Sequence, residues 1–250
     1  MATKYGPLFT LKFGVHQALV VNSAEMAKEC FTTNDKAFGD RPKTLAIRLL
    51  GYDYASFGFA PYGPYWRAIR KIATLELLSH NRQQMFTHVR TSEMKFFVED
   101  LYKSWKDGKG SSEKALIEMK QWSENLVYNL ILRTIVGKRF WPGHKEGDRF
   151  KETMGDFVFL AGTMVVGDVV PWLSWLDFRG LEKKMKITAQ HVDFFFQGWL
   201  NEQKEKLSSG QPIEPKDQAF MGSMLARLDS EFEKDLTVYD KETVVKATCS

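Results

Sequence analysis

The feature that most restricts this chain is how little of it can be strand. Only "LFTLKFGVHQALVVNS" alternates apolar and polar residues, and it turns at Gly14. That predicts a hairpin with strands near 8–13 and 17–22. A lone two-stranded hairpin is marginal in water, so this one must lean on something else. Elsewhere the apolar period is helical. Phe97, Leu101 and Trp105 recur every fourth residue inside a predicted helix over 81–106. Trp122, Leu126 and Leu130 do so within 118–136, which Gly137 is placed to stop. Helices are also predicted over 64–78, 147–162 and 181–207, with shorter ones at 24–32 behind the N-cap Ser23 and at 217–230. Residues 43–50 are ambiguous and admit a short helix. "KDGKGSSEK", "WPGHKEGD" and "SSGQPIEPKDQ" read as loops. The fold class is therefore mainly α.

Asp240 is a good N-cap for one more helix, whose apolar face (Val244, Val245, Ala247, Cys249) begins about two turns before Ser250. Helices this short are marginal alone. The expectation is that further sequence belongs with it, and that this face and part of 181–207 are left exposed.

A chain of 250 residues with 44% hydrophobic and 26% charged residues can bury a large core. The most apolar run, 157–176, is interrupted by Gly162, Gly167, Asp168 and Pro171, so it is not read as a membrane span. Two distant cysteines, Cys30 and Cys249, argue against a disulfide framework and for a reducing compartment. The five histidines lack metal-ligand spacing, and there is no P-loop or G-x-G-x-x-G. The formal charge of +4 is local: residues 61–90 hold Arg67, Arg70, Lys71, Arg82 and Arg90 against the single acid Glu76. A local excess suits a defined anionic ligand better than nucleic acid.

That window contains "PYGPYWRAIRKI", 61–72. Pro64 suits the first turn of a helix. Residues four apart share a face, so Trp66 and Arg70 lie side by side, with Arg67 and Lys71 on the next stripe. An indole N–H and a guanidinium are donors only. Together they suit a carboxylate or phosphate. The plain alternative is an amphipathic helix with a packed tryptophan and a solvated arginine.

"KYGPLFTLKFG", "NDKAFGDRP", "FAPYGPYWRAIRKI", "ELLS" and "WLDFRGLEKKMK" occur in this order. Together they resemble the N-terminal half of a plant microsomal cytochrome P450, nearest to family 82, from about Lys4 to Ser250. The resemblance implies the P450 fold over a hairpin, helices B to G and the start of helix I, with 1–250 forming one partial domain. It makes Trp66 and Arg70, on helix C, the donors to the propionates of haem b. It places the first substrate-recognition segment at 45–59, where Phe57 and Phe59 would face an apolar pocket. The second falls at 157–166, with Phe159, and the F–G loop at 169–175 would touch the membrane.

The family's F-x-x-G-x-R-x-C-x-G thiolate loop does not occur in these residues, and the resemblance leaves out helix K with its E-x-x-R pair and the anchor that precedes "KYGP" in relatives. The function implied is therefore part of a haem-thiolate monooxygenase that hydroxylates a hydrophobic plant metabolite (alkaloid, flavonoid or terpenoid). Its electrons would come from NADPH through cytochrome P450 reductase at the cytosolic face of the endoplasmic reticulum. The alternative is an inactive truncated remnant that at most binds haem or a partner. In either case residues 1–250 alone are expected to oxidise nothing, because a haem-bound thiolate is what favours O–O cleavage.

Overall fold

The computed structural model describes residues 1–108, 116–141, 143–209, 214, 217–230, 236 and 238–250. Much of the loops expected at 106–114 and 208–218 therefore lies outside the described residues. Of the loop expected at 141–148 only Pro142 does, and 145–148 are already helical, with Glu146 and Asp148 in the first turn, where acids suit the helix dipole. After a short helix α1 (Ala2–Tyr5), strands β1 (Leu8–Phe13) and β2 (His16–Val21) pair antiparallel, from Leu8 opposite Val21 to Phe13 opposite His16. This is the predicted hairpin and the sole sheet among the described residues. Its tip is held by a distant segment: Val15 N–H donates to the Val169 carbonyl at 3.1 Å, and His16 Nε2 donates to the Asp168 carbonyl at 2.7 Å. Gly14 has φ +56°, and a Cβ there would lie 1.9 Å from the Val169 oxygen. Only glycine meets both demands.

Helices make up most of the rest. α2 (Ala24–Phe31) starts at Ser23 and is followed by α3 (Asp35–Phe38). The ambiguous 43–50 stretch is α4 (Leu45–Leu50), with Thr44 Oγ1 accepting from Ile47 N. α5 (Pro64–Ala73) carries proline in its first turn and passes into a π-helical segment, Thr74–Leu78. The single helix expected at 81–106 is two: α6 (His80–Met85) and α7 (Thr87–Asp107), separated at the buried Phe86. The break lets Arg82 meet Glu76 while Glu93, farther on, meets Arg133 and Arg139. α8 (Met119–Ile135), α9 (Lys145–Ala161), α10 (Val166–Val169), α11 (Leu181–Ser208), α12 (Phe220–Ser230) and α13 (Lys241–Cys249) complete the order. Gly137 closes α8 at φ +76°.

The core centres on α11. Phe195, Phe196 and Trp199 meet Phe150 of α9, with the Phe150 and Trp199 rings 4.9 Å apart. Removing one such aromatic costs about 3–5 kcal/mol. The expectation for the last helix is corrected. α13 packs against α11 and α12, and Val244, Val245, Ala247 and Cys249 are all buried. Its short length is compensated by tertiary packing, and Asp240 caps it by accepting from Thr243 N at 3.0 Å. On α11, by contrast, Ile187 and Phe194 do stay exposed.

Candidate functional site

α5 is amphipathic along a sharply drawn line. Tyr65, Ala68, Ile69, Ile72 and Ala73 are buried. Trp66 and Arg70 sit on one flank of that stripe, and Arg67 and Lys71 face outward. The Arg70 guanidinium lies over the Trp66 ring at 4.8 Å, so the predicted pair is in contact. Among the described residues no carboxylate pairs with Arg70, and the Trp66 indole N–H has no acceptor. Phe57 stacks on Trp66 with centroids 6.3 Å apart and planes 14° from parallel. Tyr62 packs against Trp66 at 5.6 Å. The result is a partly sheltered, donor-only corner with apolar walls, suited to a planar ligand that carries an acid group.

The N-terminal end of α5 is fixed from below. The Tyr65 hydroxyl donates to the Ala55 carbonyl at 2.6 Å. Burial, then the neighbouring Tyr239, pushes the Tyr65 phenol up, which keeps it a donor. Tyr239 in turn donates to the Asp53 carbonyl at 2.7 Å. That bond reaches a loop in which Tyr52, Asp53 and Tyr54 all have positive φ, an uncommon run for residues other than glycine.

A second feature lies on the other side of this loop. A cleft of about 620 Å³ opens between α4 with Tyr54 on one wall and residues 163–168 and 174–182 on the other. It joins the two stretches, 45–59 and 157–166, in which substrate contacts were expected. Asp168 holds the walls together: its Oδ1 accepts from Leu45 N at 2.8 Å and its Oδ2 from Val165 N at 3.0 Å. The sequence marked Asp168 only as an interruption of an apolar run. Its role needs a partner 123 residues away. Of the expected apolar contacts, Phe57 is with Trp66, Phe59 is half-buried, and Phe159 points outward from α9 at 65% exposure, outside the cleft lining.

The profile of the family described as Cytochrome P450 matches residues 1–248. The chain belongs to the cytochrome P450 family. Curated relatives include a strychnine-10-hydroxylase of Strychnos nux-vomica, 43% identical over all of this chain and 48% of its own length. A flavonoid-6-hydroxylase of Ocimum basilicum is 44% identical over all of this chain and 47% of its own. Cytochrome P450 82A4 of Glycine max is 42% identical, covering 99% of this chain and 47% of its own. The chain thus spans about half the length of the curated relatives it matches. A zebrafish cytochrome P450 solved with progesterone has a TM-score of 0.70 at 19% identity, over 98% of this chain and 52% of that one. The architecture is therefore the N-terminal half of the P450 fold, mainly helical with one small sheet, as expected.

Haem is the cofactor this family implies. The corner on α5 fits the acidic edge of that group on its chemistry: two donors without an acceptor, one of them cationic, beside stacked aromatic rings. Of the two cysteines, Cys30 lies half-buried on α2 and Cys249 is buried on α13, where burial pushes its thiol up. Among the described residues no group of His, Cys, Asp or Glu is arranged to hold a metal ion, and no helix is long and apolar enough to cross a membrane.

Proposed function

We propose that this chain supplies the propionate-binding part and one wall of the substrate pocket of a haem-thiolate monooxygenase. The observation that carries the reading is the contact between Trp66 and Arg70, whose donors have no acceptor among the described residues. Trp66 and Arg70 would hold the propionates of haem b. A charge-assisted hydrogen bond of that kind contributes about 1.5–3 kcal/mol. Phe57 would orient the aromatic edge of the group by stacking. When bound to a thiolate ligand, haem supplies the oxygen chemistry.

This chain's own contribution to substrate handling is the space between 45–59 and 157–166. Phe57 and Phe59, both half-buried, are the proposed apolar contacts. The substrate class is a hydrophobic plant metabolite: relatives are named for hydroxylating strychnine, flavonoids and xanthotoxin. Electrons would come from NADPH through cytochrome P450 reductase. Trp172 and Trp175 are 70% and 77% exposed beside Leu176 and Phe178. An exposed aromatic and aliphatic cluster suits the interface of the endoplasmic reticulum membrane on its cytosolic side.

The test is a graft of residues 1–250 onto the C-terminal half of the basil flavonoid-6-hydroxylase. The graft should show the thiolate-type Soret band when reduced under carbon monoxide, and NADPH-dependent turnover with reductase. Arg70→Ala should lower its haem content several-fold. A folded graft whose haem content is indifferent to Arg70→Ala and Trp66→Phe would sink the assignment.

A further inference from the structure

The buried stripe of α5 runs through Ile69, Ile72 and Ala73, and the next position on the same face, three residues on in the π-segment, is Glu76. A carboxylate there is costly unless it is fully paired. Glu76 is 7% exposed and paired twice. Arg82 of α6 donates to Oε2 through Nη2 at 2.5 Å and through Nε at 3.2 Å. Arg227 of α12 donates to Oε1 through Nε at 2.8 Å. Arg82 also donates to Ser223 Oγ, one turn before Arg227 on α12. α12 in turn packs on α11, α13 and α8. The C-terminal end of α5 is therefore tied to the body of the molecule through one carboxylate. Its N-terminal end is tied through Tyr65 to Ala55. Trp66 and Arg70 lie between the two ties: Trp66 is part-buried at the edge of the core beside Phe57 and Tyr62, and the exposed Arg70 lies over its ring.

We infer that Glu76 is a positioning residue: its cluster with Arg82 and Arg227 sets the rotation of α5 about its axis, and so the direction in which Trp66 and Arg70 point. The inference rests on the proposed role of that pair as propionate donors only for its consequence. The geometry itself stands apart. Apolar packing along one stripe tolerates sliding, because dispersion contacts are weak singly and non-directional. Three charge-assisted bonds from two different helices tolerate much less, because each loses most of its strength once misaligned.

The chain has seven tryptophans, so 5-fluorotryptophan labelling gives seven fluorine resonances, with that of Trp66 assigned by Trp66→Phe. In Glu76→Gln the Trp66 resonance should move or broaden by more than its linewidth, while that of the buried Trp199 stays in place. Glu76→Asp, which keeps the charge, should hold the Trp66 resonance near its original position. Arg227→Gln, which leaves Arg82 on Glu76, should move it by a smaller amount. Hydrogen exchange over 64–73 should speed by about tenfold in Glu76→Gln, with α11 unaffected. An unmoved Trp66 resonance overturns the inference, and so does a common shift of all seven, which would mean general loosening. Hemin retention by the same chain is read separately. If Arg70→Ala retains hemin like the parent while Glu76→Gln still displaces Trp66, the donor reading fails and the positioning role stands. If Arg70→Ala loses hemin while Glu76→Gln leaves Trp66 unmoved, the reverse holds.

Discussion

Glu93→Gln should be among the most destabilising single-charge changes in this chain. Glu93 is 2% exposed on α7. It accepts from Arg133 Nη1 at 2.7 Å and from Arg139 Nε at 2.9 and 3.0 Å. Arg139 is itself clamped between rings, 4.2 Å from Phe96 and 3.7 Å from Trp141, so it cannot swing to solvent when its counter-charge goes. Removing one partner of a buried pair costs about 3–5 kcal/mol, because the remaining charge is stranded. Here two guanidiniums would be stranded together. The glutamine keeps the shape and one acceptor, which puts the expected loss near the lower bound, about 3 kcal/mol. That is a large share of the roughly 5–15 kcal/mol that holds most domains folded. At roughly 2–4 °C per kcal/mol for a chain of this size, the midpoint should fall by about 10 °C. Urea and thermal unfolding by circular dichroism would read it. The control is Glu99→Gln on the same helix. Glu99 meets Lys95 at 3.9 Å with both side chains largely in water, and its loss should cost at most about 0.5 kcal/mol. If the two variants fall within about 0.5 kcal/mol of each other, the reasoning from burial is wrong.

Three more outcomes are expected. Burial acts to raise the Glu76 carboxyl, and the hydrogen bonds from Arg82 and Arg227 outweigh it, so it sits below its ordinary value of 4.5. Its stabilisation is then complete above that value and lost as pH falls through the lowered one; the stability gap between the parent chain and Glu76→Gln should shrink from about pH 6 to about pH 3 in urea titrations. Gly14→Ala should detach the hairpin tip from Val169 and cost at least about 1–2 kcal/mol; a neutral result by thermal unfolding would show that the tip does not dock. A disulfide reagent should label Cys30 and leave Cys249 unmodified until the chain unfolds, because Cys249 is buried and its thiol is held protonated; mass spectrometry of the labelled peptides decides it.

What the sequence determined by itself is whatever a turn or two of chain can encode. The hairpin at 8–21, the helices over 119–135, 145–161 and 181–208, the cap at Asp240 and the adjacency of Trp66 and Arg70 all follow from period and capping within a few residues. The family was legible for a related reason: its motifs are contiguous. What only the tertiary structure decided involves partners far apart in the chain. Glu76 read as the lone acid in a basic window; its burial depends on Arg227, 151 residues on. The break at Phe86 separates two stretches of equally good helical period, and it exists because Arg82 and Glu93 answer to different neighbours. α13 was expected to be exposed because its length is marginal, and it is buried because α11 and α12 offer it a face. Phe159 lies in the stretch expected to meet substrate, yet it points outward, since Phe150, Thr153, Phe157 and Leu160 take the side of α9 that faces the core. Local periodicity states which residues share a face. It does not state what that face will meet, because a buried charge or an exposed ring is settled by the competing desolvation and packing energies of residues that approach each other only in the folded chain.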